Sequence, residues 1–202
     1  MPLSSKLPIS AAILAGGKSS RMKMPKCLIA LENKRLIEIL ISNVKKIFDE
    51  IFIVTNFPEL YFYNGIPLIG DIYPFKGPMA GIHAALKNSE YDIFAFACDM
   101  PCVKKEIIQV LSEKHITGTS AATVASLNNK IYPLPGIYSK KLINELQRLL
   151  IEDKVSIKTF LDDINAQIID VANLDKEGLS FININTEEDL KIFKNGGKTC
   201  LD

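Results

Sequence analysis

Apolar positions along this chain follow two alternating rhythms. Continuous apolar runs of strand length, "ISAAILA" from Ile9, "EIFIVTN" from Glu50 and "YDIFAFACD" from Tyr91, are separated by segments whose apolar residues recur at helical spacing. Leu36, Leu40, Val44 and Ile47 mark one such helix, "GPMAGIHAALKN" from Gly77 a second, and Ile107, Ile108 and Leu111, after Pro101, a third. "PLIGD" from Pro67 reads as a short strand and "SAATVAS" from Ser120 as a longer one. The stretch from Leu127 to Pro135 is richer in Asn, Lys and Pro; it predicts a loop, or a pair of antiparallel edge strands around "KIYPLPGIYS". "KKLINELQRLLIED" from Lys140 predicts an amphipathic helix, and "QIIDV" and "FINI" predict short strands. "TEEDLKIFK" predicts a last helix capped by Thr186. Strands alternating with helices in this way predict an α/β fold with a mostly parallel sheet covered by helices on both faces. The fourth strand, apolar nearly throughout, suits a position buried on both sides.

Composition narrows the function classes. A chain of 202 residues is long enough for one core, so residues 1–202 are read as a single domain, with residues 1–9 and 195–202 as flexible tails. Lys and Arg number 24 against 23 Asp and Glu, a net charge of +1, and no global field favours nucleic acid or an anionic membrane. The polar start "MPLSSKLPIS" does not read as a secretory signal, and no later apolar run has the length of a membrane span. A cytoplasmic protein is expected. The 4 cysteines, Cys27, Cys98, Cys102 and Cys200, lack the spacing of a zinc or redox motif and are expected to be buried or inert, reduced thiols.

The candidate chemistry starts at "ILAGGKSSRM", residues 13 to 22. A strand that runs into Gly16 and Gly17 turns backbone N–H groups toward one side, where they can hold phosphate oxygens. The Walker A pattern fails because Ala12 stands at its first glycine, and the dinucleotide fingerprint fails for want of a third glycine. "GGKT" near the C-terminus fails too, with Ile192 at the first glycine position. What remains is a double-glycine loop followed by Ser19, Arg21 and Lys26, whose cations with Lys18 would neutralise a polyphosphate. Two further stretches point the same way. "DIYPFKGPMAGIHAAL", residues 71 to 86, sets an acid and a Gly-Pro turn at a helix entry. "ACDMPCV", residues 97 to 103, ends a buried strand in Asp99, at the sheet edge where open α/β folds bind ligands. An isolated Asp there would be a helix cap; in combination with the loop it reads as a Mg²⁺ ligand, since that ion takes one or two carboxylates plus substrate phosphates.

With LAGGKSSRM, Pro25-Lys26, D-x-YP-x-x-GPMAGI, ACDMP and the closing "FININTEEDL", the chain resembles the molybdenum cofactor guanylyltransferases from about Ala11 to Leu190. The resemblance implies a Rossmann-like three-layer sandwich and transfer of GMP from GTP to molybdenum-molybdopterin, with Mg²⁺ as cofactor and pyrophosphate as by-product. It implies that Leu14, Ala15, Gly16 and Gly17 lie along the nucleotide, that Lys26 meets its phosphates with Arg21 beside it, and that Asp71 contacts the guanosine. It further implies that Asp99 holds Mg²⁺, that Asn56 assists the nucleotide, and that Asn183 and Asn185 stand by the acceptor or the metal. Proteins that deliver molybdopterin or accept the product are the expected partners. Lys23 stands where the family has a glycine, and "TEEDL" lacks the family's proline. A cytidylyltransferase of the same cofactor, a sugar-phosphate nucleotidyltransferase and a nucleotide-binding module without turnover remain as rivals; Gly16 favours GTP over CTP. His83 is expected to be a packed or surface residue, not a catalyst.

Overall fold

A computed structural model describes residues 7–16, 25–31, 33–184 and 189. In chain order the elements are β1 (Ile9–Leu14), β2 (Ala30–Leu31), β3 (Lys34–Arg35), α1 (Leu36–Val44), β4 (Ile51–Val54), β5 (Leu68–Ile69), α2 (Pro78–Asn88), β6 (Asp92–Ala97), α3 (Lys105–Thr117), β7 (Ala122–Leu127), β8 (Lys130–Tyr138), α4 (Ile143–Ile151), α5 (Ile157–Asp163) and β9 (Gln167–Asp170). Seven strands form one sheet in the order β5-β4-β1-β6-β8-β7-β9. β1 pairs in parallel with both β4 and β6, β4 with β5, and β7 with β9; β8 alone runs against its neighbours.

The sheet splits the core by the two-residue pleat. Ala11 and Ile13 of β1 and Phe94 and Phe96 of β6 face α1 and α3, packing on Leu40, Val44, Phe48, Ile107 and Leu111. Ala12, Ile93 and Ala95 face the opposite layer of α2, α4 and α5, with Met79, Ile82, Leu146 and Phe160. Each of these larger side chains contributes about 1.5–3 kcal/mol by leaving water. Helices on both faces of a mostly parallel sheet form the three-layer arrangement expected from the alternation of the sequence. Among the described residues, no helix is long and apolar enough to cross a membrane.

Three local expectations are corrected, and one helix is added. "KIYPLPGIYS" is neither a loop nor an edge pair: β8 lies inside the sheet, bonded to β6 and β7. Its prolines are tolerated because Val124 pairs with Gly136 and Ala125 with Tyr132, leaving Pro133, Leu134 and Pro135 looped out of the ladder, where no N–H is needed. "FINI" forms no strand; a single 3₁₀ turn over Leu179–Phe181 leads into irregular chain. Ile9 is no tail residue but the buried opening of β1, only 2% exposed. α5 was not anticipated, although Ser156 caps it by accepting from Thr159 N at 3.3 Å. Of the helix expected from Thr186 only Asp189 is among the described residues, and it is helical; the C-terminal tail lies outside them.

Candidate active site

The polypeptide leaves β1, β4, β5 and β6 at one edge of the sheet, and every candidate residue that is described except Asn183 stands within a few positions of those ends or on the segment leading into β2. The chain winds from β1 outward through β4 and β5, then crosses back to β6, so the crevice between β1 and β6 is the topological switch point at which such sheets bind ligands. Hydrogen bonds continue the ladder past the strands: Ala15 N donates to Val54 O at 2.8 Å, Cys98 N to Leu14 O at 3.2 Å and Thr55 N to Ile69 O at 2.8 Å. The loops that follow are thereby anchored on a rigid edge.

A cavity of about 340 Å³ opens there, lined by Leu14, Ala15 and Gly16 from β1, Lys26 from the segment after it, Asp71 from the loop after β5, and Asp99 after β6. Gly16 and Asp99 thus face one space. A Cβ at Gly16 would meet Asn56 Nδ2 and Asp71 Oδ2 at 3.7 Å, ordinary contact, so packing does not demand the glycine; what it leaves bare is backbone facing the cavity. α2 enters behind this wall. Gly77, at φ 73°, precedes Pro78 at the first helical position, and both line the cavity, so the positive end of the helix faces it. Gly81 lets α2 approach β1, since a Cβ there would meet Leu14 Cδ2 at 3.0 Å.

Lys26 Nζ lies 3.9 Å from Asp99 Oδ2, close enough for attraction but too far for a hydrogen bond. Burial pushes the Asp99 carboxyl above the usual carboxylate range, and Lys26 only partly opposes this. Asp71 is raised in the same way by burial, opposed by the hydrogen bond from Asn56 Nδ2 to its Oδ2 at 2.8 Å. Asn56 also accepts from Asp71 N at 3.2 Å, so the amide locks the acid to the end of β4. Tyr61, which lines the cavity, has a buried hydroxyl with no hydrogen-bond partner among the described residues, and burial pushes its phenol up to about 12.

Of the residues singled out from the sequence, Leu14, Ala15, Gly16, Lys26, Asp71 and Asp99 come together around this cavity, and Asn56 stands behind it through Asp71. Asn183 is exposed and does not line it; its neighbour Ile184 donates to Asp99 O at 2.9 Å, so the segment touches the site through backbone. Gly17, Lys18, Arg21, Lys23 and Asn185 lie outside the described residues. His83 is fully buried in α2 beside the Tyr73 ring, its centroid 5.5 Å away, and is held below its ordinary pKa by burial. The expectation of free thiols is corrected: Cys27 and Cys98, 71 residues apart, are disulfide-bonded with Cα atoms 5.4 Å apart, and Cys102 is disulfide-bonded as well. The spacing rules of local motifs could not reveal a pair created by the fold. The bond ties the residue after Lys26 to the residue before Asp99. Sequence reasoning also passed over Phe75, Tyr61 and Leu134, which complete the wall; Leu134 arrives from the looped-out segment of β8.

Comparison with known proteins agrees with this geometry. Residues 11–168 match the MobA-like NTP transferase domain. A protein of Peptoclostridium acidaminophilum named "Probable molybdenum cofactor guanylyltransferase" is 37% identical over 92% of this chain and 88% of its own length. One of Syntrophotalea carbinolica, named molybdenum cofactor guanylyltransferase, is 29% identical over 93% and 91%. The crystal structure of molybdopterin-guanine dinucleotide biosynthesis protein A from Archaeoglobus fulgidus superposes with a TM-score of 0.82 at 28% identity, covering 94% of this chain and 98% of that one. With Gly16 and Asp99 facing one cavity at the switch point of a mostly parallel sheet, and with that family's domain matched over most of its length, the chain belongs to the MobA-like NTP transferase family.

Proposed function

We propose that this enzyme transfers GMP from GTP to molybdopterin carrying molybdenum, yielding the guanine dinucleotide form of the cofactor and pyrophosphate. The observation that carries the reading is the convergence of Gly16, Lys26, Asp71 and Asp99 on one cavity, joined to the names of the relatives. The acceptor's terminal phosphate is an anion near neutral pH, so its oxygen can attack the α-phosphorus in line without a strong base. A new P–O bond forms as the bond to the β-phosphate breaks, and pyrophosphate leaves. Catalysis is then alignment and charge neutralisation. Gly16, just beyond β1, is assigned to the phosphates, and Gly17 with it. Lys26, together with Arg21 earlier in the sequence, is assigned to drawing charge toward the leaving group. Asp71, fixed by Asn56, takes the guanosine end. Asn183 and Asn185 are assigned to the acceptor side.

Mg²⁺ is the proposed cofactor, with Asp99 as its protein ligand. One observation fits that ion: the Asp99 carboxylate is desolvated and Lys26 Nζ stands beyond hydrogen-bond distance of it, so a cation would offset its burial. When bound it would supply charge stabilisation for the phosphoryl oxygens. The reading places the reaction in the cytoplasm, with delivery and acceptor proteins of the molybdenum cofactor as partners and neither nucleic acid nor membrane as a target. Pyrophosphate release measured with each of the four NTPs, with and without molybdenum-molybdopterin, tests it. Release with GTP that requires the acceptor is expected; release with CTP alone, or with no NTP, would refute the proposal.

A further inference from the structure

The Cys27–Cys98 disulfide joins two parts of the cavity wall that come from different regions of the chain. Cys27 belongs to a single 3₁₀ turn, Lys26–Leu28, whose backbone bonds run within the turn and on to the start of α1: Leu28 N donates to Pro25 O at 2.9 Å, Ile29 N to Lys26 O at 3.0 Å and Leu36 N to Ile29 O at 3.0 Å. Cys98 belongs to the end of β6, where its N donates to Leu14 O and Asp99 O accepts from Ile184 N. The bond spans 71 residues of sequence and brings the two Cα atoms to 5.4 Å. Both cysteines line the cavity, and each is next in sequence to one of its charged residues, Cys27 to Lys26 and Cys98 to Asp99. One covalent joint therefore ties the backbone that carries the cation to the backbone that carries the acid, the pair whose Nζ and Oδ2 stand 3.9 Å apart.

A crosslink in that place acts on binding through preorganisation, since a site held in its bound arrangement loses less freedom when the ligand arrives. In the cytoplasm, where the proposed function places the reaction, a disulfide is usually transient and either catalytic or redox-sensing. We propose that the Cys27–Cys98 disulfide is a reversible positioning crosslink that sets Lys26 against Asp99, so that a dithiol reductant lowers the affinity of the cavity for a nucleoside triphosphate and reoxidation restores it. One thiolate of the reductant attacks either sulfur and releases the other, which takes up a proton; the second thiol of the reductant then displaces the first protein sulfur. Two electrons and two protons pass to the protein, leaving two cysteine thiols and the reductant as its own disulfide. Linkage makes the effect reciprocal: the factor by which the crosslink tightens nucleotide binding is the factor by which bound nucleotide protects the crosslink from reduction. The inference rests on the guanylyltransferase reading above for its ligand and adds to it a control on the site.

Equilibrium titration of the full chain with GTP and Mg²⁺, oxidised and after dithiothreitol, tests it in three proteins. These are the parent, Cys102→Ser with Cys200→Ser, which leaves Cys27 and Cys98 as the only cysteines, and Cys27→Ser with Cys98→Ser. Reduction should weaken GTP binding by about 5- to 150-fold in the first two, and reoxidation should restore it. The third should bind as the reduced parent does, with or without dithiothreitol. Saturating GTP with Mg²⁺ should make the midpoint potential of the Cys27–Cys98 pair more negative by about 30 mV for each tenfold of that loss, a shift that a bond serving stability alone would not show. Affinity that reduction leaves unchanged or raises, a potential that GTP does not move, or a response to dithiothreitol as large in Cys27→Ser with Cys98→Ser as in the parent would overturn the crosslink. A parent chain that binds GTP in neither state would instead overturn the guanylyltransferase reading.

Discussion

Asp99 shows how a single side chain is set against its own environment. Its carboxyl is raised by burial, so across the window between the ordinary Asp value and the raised one the folded chain keeps a proton that the unfolded chain has released. Stability therefore falls as pH rises through that window, and the loss persists at neutral pH. Asp99→Asn should abolish transfer yet raise Tm at pH 7, with the gain vanishing below about pH 4, where the carboxyl is protonated in both states. A Tm that falls at pH 7, or turnover that survives, contradicts this. Lys26→Ala should weaken GTP binding by about 1.5–3 kcal/mol, the range of hydrogen bonds to charged groups, as read by titration. Tyr61→Phe removes a buried hydroxyl that has no partner among the described residues, so Tm should hold or rise; a fall of more than about 3 °C would mean that the hydroxyl is satisfied. At this scale the sequence was informative where a residue type is itself the chemistry, as with Gly16, Lys26, Asp71 and Asp99. It was silent on Leu134, which reaches the cavity only because its segment leaves the ladder, and on Cys27 with Cys98, whose partnership is made by the meeting of distant segments.

Elements were legible in proportion to the periodicity they carry. β1, β4, β6, α2 and α4 follow from uninterrupted patterns, and their packing adds only boundaries. β8 misleads for a physical reason: prolines argue against an interior strand, and the strand survives by expelling Pro133, Leu134 and Pro135 from its ladder. Gly136 makes that excursion possible, since a Cβ there would lie 2.6 Å from Pro133 O and 2.9 Å from Val124 Cγ1. Gly136→Ala should cost about 1–3 kcal/mol, roughly 2–4 °C of Tm for each kcal/mol, and should weaken GTP binding by displacing Leu134 from the cavity wall. An alanine variant that melts and binds like the parent would show that the segment yields freely. α5 was overlooked although Ile157, Phe160 and Leu161 have helical spacing; seven residues are too few for the period to stand out.

For the molecule as a whole, topology converts residues scattered in sequence from Leu14 to Leu134 into one site. Alternation predicted the layers, but only strand order puts the carboxyl ends of β1 and β6 side by side, and no local pattern encodes that neighbourhood. The resulting cavity has Lys26 and Asp99 at one end and Asp71, from the loop after β5, at the other, with the Gly16 backbone on the wall between them. The central claim is that one nucleotide spans both ends and is tied to Asp99 through a divalent cation. Titration of the parent chain and Asp99→Asn with GTP, with and without Mg²⁺, tests this most directly. The account predicts that Mg²⁺ tightens GTP binding to the parent and loses that effect in the variant; equal enhancement by Mg²⁺ in both proteins would contradict it.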